Sequence, residues 1–348
     1  MEKKRWFHVV ILVVAAAILM NGCTNSKEAS EKLNEDPQDK LQIGLCFDSF
    51  VIERWIRDRE VFDITAKSKG AEVNVQNANG NVDEQIAQIE YFIKKKVDVI
   101  VIIAVDGERL KDVVKKAKNE GIKIVAYDRL IKNADVDLYI SFDNEEVGRL
   151  MAKTLVSQVP EGGKIYTIKG PITDNNVDLV EKGFNEVISQ SDLEIVYSAN
   201  CENWLAEQAY DAVYNGLKKS RDVAGIMCGN DDLATQAFRA LSENRLAGKV
   251  VMVGQDADLS ACQRIVEETQ AMTVYKPVEK LAQAAAEYAI MLGNGEEIET
   301  EDIIFDGTYD VPSICLTPIA VTKDNMDEVI IENNFHTREQ VYLNVELE

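Results

Sequence analysis

The sequence predicts an α/β protein of two doubly wound parallel-sheet lobes. Three features carry this expectation. From residue 41 onward one unit recurs, a short apolar run bounded by turn residues and then an amphipathic stretch of three or four helical turns. One run, VDVIVIIAV at 97–105, is apolar almost without interruption, as a central parallel strand covered on both faces must be. Ten such runs lie between residues 41 and 276, which fits two sheets better than one.

Taken in order, the first lobe is expected to hold strands at LQIGLCF (41–47), AEVNVQ (71–76), VDVIVIIAV (97–105), IKIVAYD (122–128) and LYISFD (138–143). The second is expected to hold KIYTIKG (164–170), LEIVYSA (193–199), VAGIMCG (223–229), KVVMVGQD (249–256) and AMTVYK (271–276). Helical periodicity fills the gaps. Phe62 and Ala66 stand at i, i+4, Ile86, Ile89 and Ile93 at i, i+3, i+7, and Leu205, Ala209, Val213 and Leu217 at successive i+4 steps. The expected division is 41–145 plus 279–310 for the first lobe and 146–278 plus 311–340 for the second. Three hinge crossings are expected near 140–146, 276–280 and 308–318, with Pro277 and Pro312 in segments that can dispense with a backbone donor.

The first 23 residues form a separate object. Lys3, Lys4 and Arg5 are a basic start, and the run from Trp6 to Met20 is apolar apart from His8. It is shorter than the ~20 residues of a spanning helix, so it reads as a signal peptide ending at Gly22-Cys23, with Cys23 as the lipid attachment point of a lipobox-like end. The other reading is an uncleaved N-terminal anchor. Either one places the chain outside the cytoplasmic membrane and tethered to it, with polar residues 24–40 as the tether.

A formal net charge of −22 disfavours nucleic acid or an anionic membrane surface as partner. Cys46, Cys201, Cys228, Cys262 and Cys315 form no C-x-x-C pair and have no histidine nearby, so no metal site is expected. Cys46, Cys228 and Cys315 sit in apolar runs and read as small buried hydrophobes.

In doubly wound sheets ligands bind beyond the carboxyl ends of the strands, so those ends are where binding residues belong. They carry Asp128-Arg129, Asp174 with Asn175 and Asn176, Asn230-Asp231, Gln255-Asp256 and Lys276. ERWIRDRE (53–60) places Arg54 and Trp55 after the first strand, and Trp204 follows its strand in the same way. Helix capping alone explains Asn144, Asp174 or Asn230, but not the arginines, Lys276 and both tryptophans together. Two indole faces with carboxylates, amides and cations suit a sugar, whose C–H faces pack on aromatic rings and whose hydroxyls both donate and accept. Trp55 and Trp204 would sandwich the ring from opposite lobes.

Across about residues 41–340, the stretches ERW, VQNANGN, AYDR, YISFDN, DNN, GNDDLAT, GQDADL and MTVYKP resemble the D-xylose-binding branch of the ribose/galactose-type periplasmic binding proteins, the solute receptors of sugar ABC transporters. The resemblance implies a type I periplasmic binding protein fold, D-xylose as ligand, and sugar contacts from Arg54, Trp55, Asp128, Arg129, Asp174, Asn176, Trp204, Asn230, Asp256 and Lys276. FDS at 47–49 and SANCEN before Trp204 depart from the family pattern.

An enzyme finds little support. His8 and His336 are the only histidines, GGK at 162–164 lacks the spacing of a phosphate loop, and no cofactor is expected. Asp128 and Asp256 could form a hydrolytic carboxylate pair, but arginine and lysine beside them keep both ionised, and a general acid needs its proton. The resemblance implies docking of the closed form on an ABC sugar permease or, alternatively, on a sensor histidine kinase. A DNA-binding repressor would need a helix-turn-helix where this chain has its signal segment.

Overall fold

The computed structural model describes residues 40–300 and 302–345. The expected signal peptide, Cys23 and the tether up to residue 39 lie outside the described residues. Among those described, no helix is long and apolar enough to cross a membrane.

Ten strands form where the apolar runs place them, β1 (Gln42–Phe47), β2 (Glu72–Asn77), β3 (Val99–Ile102), β4 (Lys123–Tyr127), β5 (Leu138–Phe142), β6 (Gly163–Lys169), β7 (Leu193–Asn200), β8 (Gly225–Cys228), β9 (Val251–Gln255) and β10 (Met272–Tyr275). Three more follow at Asp302–Phe305 (β11), Asp310–Leu316 (β12) and Ile319–Val321 (β13). One sheet runs β11-β12-β5-β4-β3-β1-β2 and the other β13-β10-β9-β8-β6-β7. Without the late additions, each sheet has the same winding: its first two strands build to one side, and the chain then crosses back to build the other. In both sheets the topological switch point therefore lies at the first strand, β1 or β6, and loops diverge there to leave a crevice.

The first sheet is covered on both faces, as its central strand requires. Leu45, Val101, Val125 and Ile140 belong to one apolar core that includes Phe62 and Ala66 of helix Arg54–Ser68 and Leu281, Ala285 and Ala289 of helix Val278–Gly293. Cys46, Ile100, Ile102 and Ile124 join the opposite core with Ile89 and Phe92 of helix Val82–Lys95 and Val114 of helix Lys111–Asn119. All four residues of β3 are buried.

Several expectations change at this level. The buried face of helix Val82–Lys95 is Gln85, Gln88, Ile89 and Phe92, so Ile86 and Ile93 lie at its margin. Gln85 is drawn inward because its amide satisfies the end of β3, donating to Ile103 O and accepting from Val105 N at 2.8 Å each. β12 pairs in parallel with β5, Ser313 opposite Tyr139, so residues 311–316 belong to the first sheet and the last crossing falls at Thr317-Pro318. Pro312 is therefore inside a strand, opposite Ile303, while Pro318 occupies the crossing. Cys315 is exposed, and the other four described cysteines are buried; all five are free thiols.

Candidate functional site

The ten residues singled out at the strand ends line one small cavity between the sheets with about 20 Å³ of free space, joined by Ile52, Asn144 and Gln255. That is room for about one water molecule and far less than the ~300 Å³ or more of a ligand pocket, so the lining side chains stand drawn in on one another. Arg54 and Trp55 enter from the start of helix Arg54–Ser68, and Asp128 and Arg129 from the end of β4. Asp174 and Asn176 come from the start of helix Asn175–Ile188, Trp204 from the turn Glu202–Trp204, and Asn230, Asp256 and Lys276 from the ends of β8, β9 and β10.

The backbone is bent at these points. Asp128, Trp204 and Asp256 have φ of 64°, 57° and 94°, and Asn203 and Ala257 follow suit at 52° and 55°. Left-handed backbone is unfavourable for residues with a Cβ, and its concentration at the cavity is the pattern of a site held in shape by its surroundings.

The first lobe supplies a braced cation. Asp58 lies one helical turn from Arg54 and accepts from its Nε and Nη2 at 3.4 and 3.2 Å, and the Tyr127 hydroxyl donates to the same carboxylate. The guanidinium is thereby turned so that Nη1 stands 3.2 Å from Asp128 Oδ1. Arg129 spans the cleft: its Nη1 donates to Asp48 at 2.8 Å, and its Nε lies 2.7 Å from Asp174 of the second lobe. Asn176 reaches back, donating through Nδ2 to the backbone carbonyl and Oδ2 of Asp128 at 3.1 and 3.2 Å. On the second lobe Lys276 Nζ stands 2.7 Å from Asp256.

Three buried cations thus face five buried carboxylates, Asp48, Asp58, Asp128, Asp174 and Asp256. Burial pushes the carboxyls of Asp48, Asp58 and Asp174 up despite their arginine partners. Burial presses on Asp128 too, but Arg54, Lys276 and Arg129 together hold it below the usual carboxylate range. Asp128 is consequently ill suited to be the proton donor of a hydrolase. His336 is no base here: its Nε2 is 2.8 Å from Ala257 O, and burial lowers its pKa.

The tryptophans differ from the expected pair of free faces. Trp55 is 1% exposed, packs edge-on to Phe47 at 6.1 Å, and lies under the guanidinium of Arg54 at 4.3 Å. It is core and cavity wall at once, and its Nε1 has no protein partner. Trp204 lies against Gly170 and Gly229 and donates through Nε1 to Asp174 Oδ2 at 3.1 Å. Asp174 and Asn230 also cap their helices, accepting from Asn176 N and Leu233 N, so capping and site membership coincide. Asn144 does not cap. Asp143 does, which frees Asn144 to donate to Asn176 Oδ1 at 3.0 Å.

Sequence reasoning passed over Asp48 and Asp58, and it placed Gln255 at a strand end without counting it among the sugar contacts. Asp58 carries a signal, the i, i+4 spacing from Arg54, and Asp48 and Gln255 are strand-end residues like the rest. Ile52 carries none.

Lined mostly by polar side chains, with donors, acceptors and indole walls converging from both sheets, the cavity offers the groups that recognise a small polyhydroxylated ring, and admitting one requires these side chains to part. A family model described as a periplasmic binding protein domain matches residues 43–297. The chain is 46% identical over 307 residues to the D-xylose-binding periplasmic protein of Haemophilus influenzae, covering 87% of this chain and 92% of that protein. It is 41% identical over 339 residues to the Escherichia coli K12 protein of the same name, covering 96% and 99%. Among solved structures, a carbohydrate transporter solute binding protein from Chloroflexus aurantiacus in complex with D-glucose has a TM-score of 0.79 at 25% identity, over 86% of this chain and 98% of that one.

Proposed function

The chain belongs to the periplasmic binding protein family, and we propose that it binds D-xylose between its two lobes, does not transform it, and delivers it to an ABC permease. The observation that carries the reading is convergence. The ten strand-end and helix-start residues come from both sheets and share one cavity, the same ten that the resemblance to D-xylose-binding proteins selects. The two relatives at 46% and 41% identity carry that ligand in their names.

In this reading Trp55 and Trp204 are the apolar walls for the C–H faces of the pyranose. Arg54, Arg129, Lys276 and the Asn230 amide nitrogen donate to its hydroxyl oxygens, and Asp128, Asp174, Asp256 and the Asn176 amide oxygen accept hydrogen bonds from its hydroxyls. Charged partners make such hydrogen bonds worth roughly 1.5 to 3 kcal/mol each. A ligand touching both lobes favours the closed arrangement by its differential affinity for it. The crossings at 143, at Lys276-Pro277 and at Thr317-Pro318 are the hinge, and the closed form presents a composite surface for its partner. The lipobox-like end at Cys23 would keep the receptor at the membrane, where a permease, or a sensor histidine kinase in the alternative reading, meets it.

Calorimetry on the full chain tests this, with one site per chain expected for D-xylose. Small-angle scattering should give a smaller radius of gyration with the sugar than without. No heat with xylose, arabinose, ribose or glucose would end the reading. Co-purification of the sugar-loaded chain with a permease or with a kinase separates the two partners.

A further inference from the structure

We infer that Gln255 is a further sugar-contacting and specificity-determining residue, a neutral hydrogen-bond acceptor for one hydroxyl of the bound pentose; this rests on the sugar reading above. Gln255 is the last residue of β9 and is 5% exposed. Extending the pairing of Met227 with Val253 by two residues puts Gly229 beside it on the neighbouring strand. The Gln255 amide reaches the backbone there, donating through Nε2 to Gly229 O at 2.5 Å.

That bond fixes which end of the amide faces the cavity. A carbonyl oxygen accepts and cannot donate, so only the NH₂ end can face Gly229 O, and Oε1 must point the other way. Oε1 is buried and has no protein partner, on a cavity wall that also carries Asn230, Asp256 and Lys276. A buried carbonyl left unpaired is costly, and a group in that position is matched when a donor arrives.

The consequence for specificity is direct. Aspartates and arginines in this cavity are bound to one another, whereas the Gln255 oxygen is committed to nothing. It can accept from a hydroxyl and from no ligand atom lacking a proton. A pentose analogue without the hydroxyl that meets it leaves Oε1 unpaired, and rejection of such analogues is stronger than rejection by shape alone.

The test is a coupling measurement by calorimetry. D-Xylose and its four monodeoxy analogues are titrated into the unaltered chain and into Gln255→Leu, with Gln255→Met as a second variant of similar length. Xylose affinity should fall about 2- to 13-fold in the variants, the span of one neutral hydrogen bond. One deoxy analogue should lose affinity for the unaltered chain and lose much less for the variants, while the other three lose equally in both. Both variants also leave Gly229 O without its donor, but any effect of that on folding or closure is common to all five sugars and cancels in the comparison. If all four analogues lose the same factor in every chain, Gln255 touches no hydroxyl and the inference is overturned. If the unaltered chain takes up no xylose, the sugar reading falls and this inference with it.

Discussion

Gly170→Ala should damage binding without touching the ligand. A Cβ built at residue 170 lies 2.3, 2.4 and 2.5 Å from Cζ2, Cη2 and Cε2 of Trp204, where ordinary contact begins at 3.4 Å. The indole must retreat by about 1 Å. It cannot retreat freely, because Nε1 is bound to Asp174 Oδ2 at 3.1 Å and the backbone of Trp204 is already left-handed at φ 57°. The open direction is the cavity, which has only about 20 Å³ of free space. Overpacking of this kind costs roughly 1 to 3 kcal/mol, and in the closed, loaded state that cost falls on the complex. The dissociation constant for D-xylose should rise about 5- to 150-fold in calorimetry, with the thermal midpoint of the sugar-free chain shifted far less. Two of the three clashing atoms, Cζ2 and Cη2, belong to the outer ring of the indole alone, and Trp204→Phe removes them. Gly170→Ala made in that background should therefore cost clearly less than in the unaltered chain. Equal losses in the two backgrounds, or unaltered affinity in the single variant, would refute the placement of Trp204 against Gly170 as the wall of the site.

Two other outcomes follow from the same geometry. Trp55→Ala should lower both affinity and stability, the latter by about 3 to 5 kcal/mol in urea unfolding, because the ring is buried against Phe47 as well as lining the cavity. Stability unchanged within error would mean that Trp55 serves the ligand alone. Asp232 sits at the start of helix Asp231–Glu243, where burial, then Asp256 and Glu53, push its carboxyl up to about 6. A carboxyl raised in the folded state holds a proton there that the unfolded chain has released, so its penalty is absent below an unfolded pKa of about 4 and grows as pH rises to about 6. Urea unfolding should show Asp232→Asn gaining stability relative to the unaltered chain between those limits, and a gain that does not vary with pH would remove the titration from the explanation.

How much of this was legible in the sequence differs from residue to residue, for a consistent physical reason. Local pattern sets the fold. Runs of β-branched and apolar residues bounded by turns make strands, helical spacing makes covering helices, and their alternation leaves parallel sheets whose carboxyl ends collect the loops. Reading only those ends reached Asp128, Arg129, Asp174, Asn230, Asp256 and Lys276, because the end of a strand is a position along the chain. The helical face of Val82–Lys95 and the return of β12 to the first sheet were not reachable that way. Each depends on what lies across from it: the unpaired end of β3 that draws Gln85 inward, and β5, some 170 residues earlier in the chain, that accepts β12.

The same divide runs through the site. Sequence by itself determined which residue types gather at the strand ends and that they suit a polyhydroxylated ligand. Only the tertiary structure decided the pairings. Arg129 meets Asp48 from 81 residues away and Asp174 from the opposite sheet, and Asp58 rather than a cleft residue braces Arg54. Trp55 proves to be wall and core together, and the Gln255 amide is oriented by its bond to the backbone carbonyl of Gly229, just past β8. Strand ends follow from spacing along one chain, whereas ion pairs and amide orientations are fixed by groups that meet only after two sheets have formed and packed, which no local pattern records.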